Sequence, residues 1–299
     1  MDIKRIVEIL KNKRLKKTLY FTRQIKNEYI SYSPEVNEQV FDDLIGYITE
    51  YLKSYTDFEQ IEYNPTGYRD NTIEVCNLNY VGNYNEVINS FDSGNIEGIE
   101  NEVENFSFYC LDIDYKDINI KLFRRVTKFK RLYSRGLLAA FQGNQLNKID
   151  AKMLGLDGNV DLIIFKNEIA ILNHISLERI FKLREQFSAK ANEAIECMRK
   201  SNKIVNFDAF EDDCLNDLRI QKILTKMLKE GNELDICFDN FDHIVDTISI
   251  FELEIEIQKS PHEAIIYEDK KQIMDILRLA RDSYYRSIIR EQLGVDDKY

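Results

Sequence analysis

The 299-residue sequence contains no tryptophan, only three prolines and eleven glycines. The scarcity of proline and glycine excludes collagen-like and low-complexity tracts and argues against long flexible linkers. Apolar residues make up 44% and charged residues 31%, a balance that excludes wholesale disorder. The chain is long enough for two domains or one large one. Its large core side chains must come from 17 phenylalanines and 17 tyrosines.

Cysteine and histidine are too few and too scattered for a disulfide framework or a zinc site. The five cysteines form no C-x-x-C pair, and the three histidines lack ligand spacing to one another. A reducing compartment with free thiols therefore fits best, and we predict neither a metal site nor a cofactor. The phosphate-binding patterns G-x-x-x-x-G-K-[ST] and G-x-G-x-x-G are also missing, so nucleotide binding has no support.

Long apolar runs are missing as well. None approaches the roughly 18–20 residues that a membrane helix needs, and the basic N-terminus has no apolar block of the kind found in secretory signals. We expect a soluble, cytoplasmic protein that is not itself transmembrane. It would reach the inner face of a membrane through a partner or through its surface charge.

The net charge of −11 is distributed unevenly along the chain. Residues 1–27 carry nine bases and two acids, residues 34–115 carry two bases and eighteen acids, and residues 116–135 carry eight bases and one acid. A protein with this overall charge binds a polyanion only through a local basic patch, because the remaining field opposes the contact.

The apolar periodicity predicts an α+β fold with a mixed β-sheet and a helical C-terminal third. Two hairpins are predicted, the first from residues 106–115 and 118–126 and the second from residues 160–165 and 168–173. Ser33-Pro34-Glu35 predicts a helix start, with serine as the cap and proline in the first turn. Residues 251–257 alternate between apolar side chains and glutamate, which predicts a strand with one wet face.

Two segments in the second half have a distinctive order of structural positions. The first runs from Asn159 to Asn173 as an Asp-led strand and a hairpin ending in Asn, followed by Leu177-Glu178-Arg179-Ile180-Phe181. The second is the tail from Lys271 to Tyr299, with a lysine-rich helix, Asp282-x-Tyr284 and Ser287. Together they resemble the KwaB family, the soluble protein of the Kiwa anti-phage defence system, over residues 121–299. The tail has Ser-Ile-Ile-Arg where the family has Ser-x-Leu-Thr, which puts the local turn in doubt.

The resemblance implies a cytosolic homodimer that engages phage DNA inside the cell and pairs with the membrane-embedded protein KwaA. It carries over no catalytic or binding residue, because the matching positions are mainly structural. We therefore expect a non-catalytic component. The predicted domains are a variable α/β region over residues 1–105 and a KwaB-like domain over residues 106–299.

The best nucleic-acid candidate is the basic segment, residues 116–135. Its predicted DNA-binding residues are Lys121, Arg124, Arg125, Lys128, Lys130, Arg131 and Arg135. Clustered cations release counterions from phosphates, and the interleaved Phe123, Phe129 and Tyr133 could stack on unpaired bases. Two alternatives stay open: a solvated strand edge whose aromatic side chains point into the core, and a surface that binds an acidic partner.

Other hypotheses rest on fewer residues. The bases at positions 11–17 form a second patch for DNA or anionic lipid, although a helix C-terminus explains them equally well. A metal-dependent nuclease could use Asp114-Tyr115-Lys116 with Asp92 or Glu104, but the acid-x-Lys pattern occurs at least six times in the chain. A pure adaptor docking on a membrane protein is the third possibility.

Two single residues are assigned structural roles. Asp161 leads an apolar strand, and such a carboxylate commonly caps a turn or bonds backbone amides. His174 precedes a predicted helix, and nothing near it in the sequence makes a catalytic triad. We interpret His174 as an ordinary hydrogen-bonding residue in a turn.

Overall fold

The structure is a computed structural model, which describes residues 1–26, 28–92, 99–126, 139–149, 153–229, 234 and 237–296. It divides into two compact units, the first made of residues 1–63 and 69–183 and the second of residues 64–68 and 184–299. The division predicted near residue 105 stays a prediction. The strand that begins at Phe108 joins the same sheet as strands from earlier in the chain.

The first unit is built on one large sheet. Its helices are α1 (Ile3–Leu10), α2 (Glu38–Lys53), α3 (Tyr84–Asp92), α4 (Ile99–Glu102) and α5 (His174–Ile180). Its strands are β1 (Lys16–Ile25), β2 (Glu28–Tyr32), β3 (Glu59–Glu62), β4 (Thr72–Asn77), β5 (Phe108–Tyr115), β6 (Ile118–Arg125), β7 (Ala139–Gln142), β8 (Gln145–Lys148), β9 (Leu162–Phe165) and β10 (Glu168–Ile171). Eight strands pair in the order β2-β1-β5-β6-β9-β10-β4-β3, while β7 and β8 form a separate pair. The β3–β4 pair is parallel and its neighbours are antiparallel, which confirms the predicted mixed sheet.

The second unit is mainly helical, as predicted for the C-terminal third. Its helices are α6 (Leu183–Lys200), α7 (Phe207–Leu215), α8 (Leu218–Lys229), α9 (Phe241–Ile250) and α10 (Ile273–Ala280). Three short strands, β11 (Ile204–Val205), β12 (Glu256–Gln258) and β13 (Ala264–Ile266), form a small sheet, and β14 (Tyr284–Arg286) pairs with β15 (Leu293–Val295). Phe210, Phe238 and Tyr267 lie almost fully buried in its core.

Both predicted hairpins are confirmed. Strand β5 pairs antiparallel with β6, and β9 pairs antiparallel with β10. In each hairpin the first turn residue, Lys116 or Lys166, adopts a positive φ, at 54° and 57°. Runs of apolar residues on either side of a short polar pair carry enough information to predict such local pairings.

Two predictions about element ends are wrong. Helix α2 begins at Glu38 and not beside Pro34, because Asn37 caps it by accepting a hydrogen bond from the backbone nitrogen of Gln39 at 2.9 Å. The alternating segment 251–257 is a strand only from Glu256 onward. Before that point the chain turns out of α9, and the backbone nitrogen of Leu253 donates to the Ile248 carbonyl at 3.0 Å.

Strand β6 separates its side chains onto two faces of the sheet, because successive residues of a strand point in opposite directions. Ile120 and Leu122 pack into the apolar core that also contains residues of α1 and α2. Phe123 points to the other face, where its ring lies 6.4 Å from Phe91 of α3. The two consecutive arginines that end β6 therefore emerge on opposite faces.

Candidate nucleic-acid interface

The structure describes three of the seven predicted DNA-binding residues, Lys121, Arg124 and Arg125, all on β6. The others lie outside the described residues, together with the aromatic side chains between them; they are Lys128, Lys130, Arg131 and Arg135. The three described cations have different surroundings.

Lys121 is neutralised within the sheet. Its cross-strand neighbour is Asp112, and its Nζ lies 3.1 Å from the Asp112 carboxylate and 2.6 Å from Asn119 Oδ1. The Asn119 amide also donates to Asp112 at 2.7 Å and to Asp114 at 2.8 Å. Because the Lys121 side chain is only 11% exposed and already paired, it has little charge to offer a polyanion.

Arg124 is held by two carboxylates from the loop that precedes β9. Its Nε and Nη2 donate to the two oxygens of Asp157 at 2.9 and 2.7 Å, and its Nη1 donates to Asp161 at 2.8 Å. The hydrogen bonds to Asp157, followed by the nearby charge of Asp161, hold the pKa of the guanidinium above its usual value. Such a bidentate pair fixes the orientation of the Arg124 side chain, and the two carboxylates neutralise its positive charge.

The carboxylate of Asp161 organises this end of β6. Its side chain is 2% exposed, with Oδ1 bonded to Arg124 and Oδ2 accepting from the backbone nitrogen of Arg125 at 2.8 Å. Its own backbone nitrogen donates to the Phe123 carbonyl at 2.8 Å. The prediction that Asp161 bonds backbone amides is confirmed, and its pairing with Arg124 is an addition that the sequence did not reveal.

Arg125 faces a cavity of about 370 Å³ at the end of the sheet. Residues from β1, β5, β6, α5 and the segment before β5 line it, among them Gln24, Ser107, Phe108, Arg125, Arg179 and Ile180. Among the residues that the structure describes, no carboxylate forms an ion pair with Arg125 or Arg179. Burial, and then the positive charge of Arg179, lower the pKa of Arg125. The half-buried Arg125 and the exposed Arg179 thus line one cavity, and neither forms an ion pair with a described carboxylate.

Gln24, which lines this cavity, and Tyr29 already form hydrogen bonds to the backbone of α5. The Gln24 amide donates to the carbonyls of Arg179 and Ile180, both at 2.9 Å, and the Tyr29 hydroxyl donates to the Ile180 carbonyl at 3.0 Å. These bonds occupy carbonyls at the C-terminus of α5, which would otherwise repel an anion. The arrangement leaves the two guanidinium groups as the dominant charges.

His174 forms a second polar cluster, also in the first unit. Its Nδ1 lies 2.8 Å from Glu74 on β4 and its Nε2 lies 3.2 Å from Glu178 on α5, while the Tyr63 ring centroid is 5.0 Å from the imidazole. Burial disfavours the charged imidazole, but the hydrogen bonds to Glu178 and Glu74 outweigh it and raise the pKa of His174 to about 9.

This cluster corrects the interpretation of His174 as an ordinary turn residue. Glu178 lies four residues after His174, the spacing of neighbours on one helix face, and that spacing was the one signal in the sequence. Glu74 lies 100 residues away in the chain and only the strand pairing of β4 with β10 brings it close.

The residues of the nuclease and N-terminal-patch hypotheses do not form a comparable site among the described residues. Lys116, the lysine of the acid-x-Lys pattern, lies over the Tyr115 ring with its Nζ 5.2 Å from the centroid. Within the described part of the chain, no group of three or more His, Cys, Asp or Glu residues could hold a metal ion. In the N-terminal patch, Lys17 pairs with Glu38 and lies 3.6 Å from Asp42. Nor does any helix among the described residues have the length and apolar character needed to cross a membrane.

Comparison with known proteins gives one match. No curated protein and no solved structure matches the chain. The family model described as Kiwa protein KwaB-like matches residues 103–290, which is more than half of the chain. The matched range contains the arginines of β6, Asp161, His174 and Arg179. The chain therefore belongs to the KwaB-like family, whose members are components of the Kiwa anti-phage system.

Proposed function

We propose that this chain is the DNA-engaging, non-catalytic component of its anti-phage system. The observation that carries the proposal is the pair Arg125 and Arg179, two cations without a carboxylate partner among the described residues. Directly after Arg125 and Val126 the chain enters residues 127–138, which contain four bases and no acid. DNA binding depends on cations that are free to replace condensed counterions.

The contacts of the described residues change how much of the proposed DNA contact we assign to each predicted residue. Lys121 and Arg124 are paired with carboxylates of the same chain, so we assign them a minor share of the DNA contact. Arg125 keeps its place in the proposed interface, and Arg179 joins it. The remaining cations are proposed from the sequence alone; they are Lys128, Lys130, Arg131 and Arg135.

The partners are part of the same proposal. Family membership supports a membrane protein of the KwaA type as the partner and a homodimer as the assembly. The protein would then act at the inner face of the membrane while remaining cytoplasmic. In the sequence, residues 34–115 carry a charge opposite to that of the basic segment, which would favour contact between the two in such partners.

Reversing the charge of Lys128, Lys130, Arg131 and Arg135 to glutamate is expected to weaken binding to duplex DNA. Each lost phosphate contact reduces the slope of log affinity against log salt by about 0.9, so four contacts reduce it by roughly 3.6. We expect the affinity at about 50 mM salt to fall more than tenfold. Fluorescence anisotropy of a labelled duplex over a salt series measures both quantities.

A matched control reverses four exposed bases elsewhere: Arg219, Lys259, Lys271 and Arg290. It changes the net charge equally, and we expect it to keep most of the wild-type affinity and slope. Equal losses in both variants would mean that net charge, and not the basic segment, governs binding. Wild-type affinity in the first variant would remove the segment from the interface.

A further inference from the structure

We propose that the cavity at the end of β6 is a binding site for a single phosphate group, held between Arg125 and Arg179. That DNA supplies this phosphate rests on the proposed function. That the cavity binds a phosphate at all rests only on the residues that line it. It names a site that the family match does not assign.

The two guanidinium groups come from different elements. Arg125 is the last residue of β6, and Arg179 is the penultimate residue of α5. Strand pairing with Phe108 of β5 and the bond from its backbone nitrogen to Asp161 fix the position of Arg125, which lines the cavity. Each guanidinium presents a planar fork of donors that matches two phosphate oxygens.

No carboxylate in the described part of the chain forms an ion pair with the two cations of the cavity, although the charge of Asp161 still acts on Arg125. The buried acid close to it, Asp161, already spends one oxygen on Arg124 and the other on a backbone amide. Burial, and after it the positive charge of Arg179, lower the pKa of Arg125, and an anion between the two side chains would reduce the repulsion between them. A ligand with one to two negative charges would balance the positive charges of Arg125 and Arg179.

The walls strengthen the attraction and add a donor. Phe108 and Ile180 are buried apolar residues, and they lower the local dielectric around the cations. Ser107 lines the same cavity, and its side chain carries a further hydrogen-bond donor. The volume of about 370 Å³ leaves room for a phosphate with part of an attached sugar.

Inorganic phosphate tests the site without DNA. Isothermal titration of the full chain is expected to show saturable phosphate binding that weakens about tenfold or more in Arg125→Gln and in Arg179→Gln, since each loses a charged hydrogen-bonding partner. Arg125→Lys keeps the charge and should lose less than Arg125→Gln. Arg219→Gln, an exposed arginine of the second unit, is expected to titrate as wild type. Absent binding, or equal binding in all variants, would overturn the site.

A second measurement separates the sources of the phosphate. If DNA supplies the phosphate, inorganic phosphate competes with a labelled duplex, and the double variant Arg125→Gln/Arg179→Gln reduces the slope of log affinity against log salt by about 0.9, the share of one phosphate. If the double variant loses phosphate binding but keeps its DNA affinity, the cavity takes a free phosphate, and the site stands without the DNA contact. If wild type binds phosphate but no DNA, the proposed function fails and the site remains. Arg179 is exposed, so its variant tests the cavity even where a change at Arg125 perturbs folding.

Discussion

Replacing Asp161 with alanine is expected to lower the free energy of unfolding by about 3–5 kcal/mol, the typical loss when one partner of a buried ion pair is removed. The substitution leaves the Nη1 of Arg124 without its acceptor and the backbone nitrogen of Arg125 without a bond. Both groups lie at the end of β6, where the Asp161 side chain is 2% exposed. Urea unfolding of the full chain, followed by circular dichroism, measures the effect.

Asp157→Ala provides the matched control. Asp157 bonds the same guanidinium through two oxygens, but its side chain is 41% exposed, so water replaces much of what is lost. We expect a loss of about 1 kcal/mol or less, as for surface ion pairs. Equal losses in the two variants would contradict the assignment of Asp161 as the organising carboxylate of this region.

Raising the pH from 6 to 10 is expected to remove the stabilisation that His174 contributes. Its pKa rises from an ordinary 6.5 to about 9 in the folded protein, so the folded state holds the proton more tightly than the unfolded state. The contribution is therefore fully present below pH 6.5 and is lost as the pH rises through 9. A shift of this size corresponds to about 3 kcal/mol, which a side chain only 16% exposed retains in large part.

The difference in unfolding free energy between wild type and His174→Gln, measured across this pH range, isolates the effect. We expect a large difference at pH 6 that shrinks toward pH 10. His243→Gln, at an exposed position in the second unit, is the matched control for the substitution itself. A difference for His174→Gln that stays constant with pH would show that the pKa of His174 is the same in the folded and unfolded states, and would contradict the account.

Local patterns were sufficient to predict much of the fold. The hairpins β5–β6 and β9–β10 were evident because each consists of two apolar runs joined by a two-residue polar turn. The start of α2 was misplaced because Ser33-Pro34 and Asn37 are both plausible helix starts, and the sequence does not show which one the chain uses.

The candidate site was harder to predict, because pairing between distant residues decides which cations are free. Strand alternation implies that Arg124 and Arg125 point to opposite faces of the sheet. It does not show that Asp157 and Asp161 lie on the face of Arg124 and bind its guanidinium. Those two acids lie more than thirty residues further along the chain. The cluster of His174 with Glu74 was missed for the same reason. Basic residues in a sequence therefore overstate the positive surface that remains after folding.

The affinity of the wild-type chain for duplex DNA across a salt series tests the central proposal most directly, namely that cations at and after the end of β6 engage a polyanion. With one phosphate held by Arg125 and Arg179 together and one by each of the four bases that follow, we predict binding at about 50 mM salt and a slope of log affinity against log salt near −4.5. No retention at that salt concentration, or an affinity indifferent to salt, would contradict the claim and favour a protein that docks only on its membrane partner.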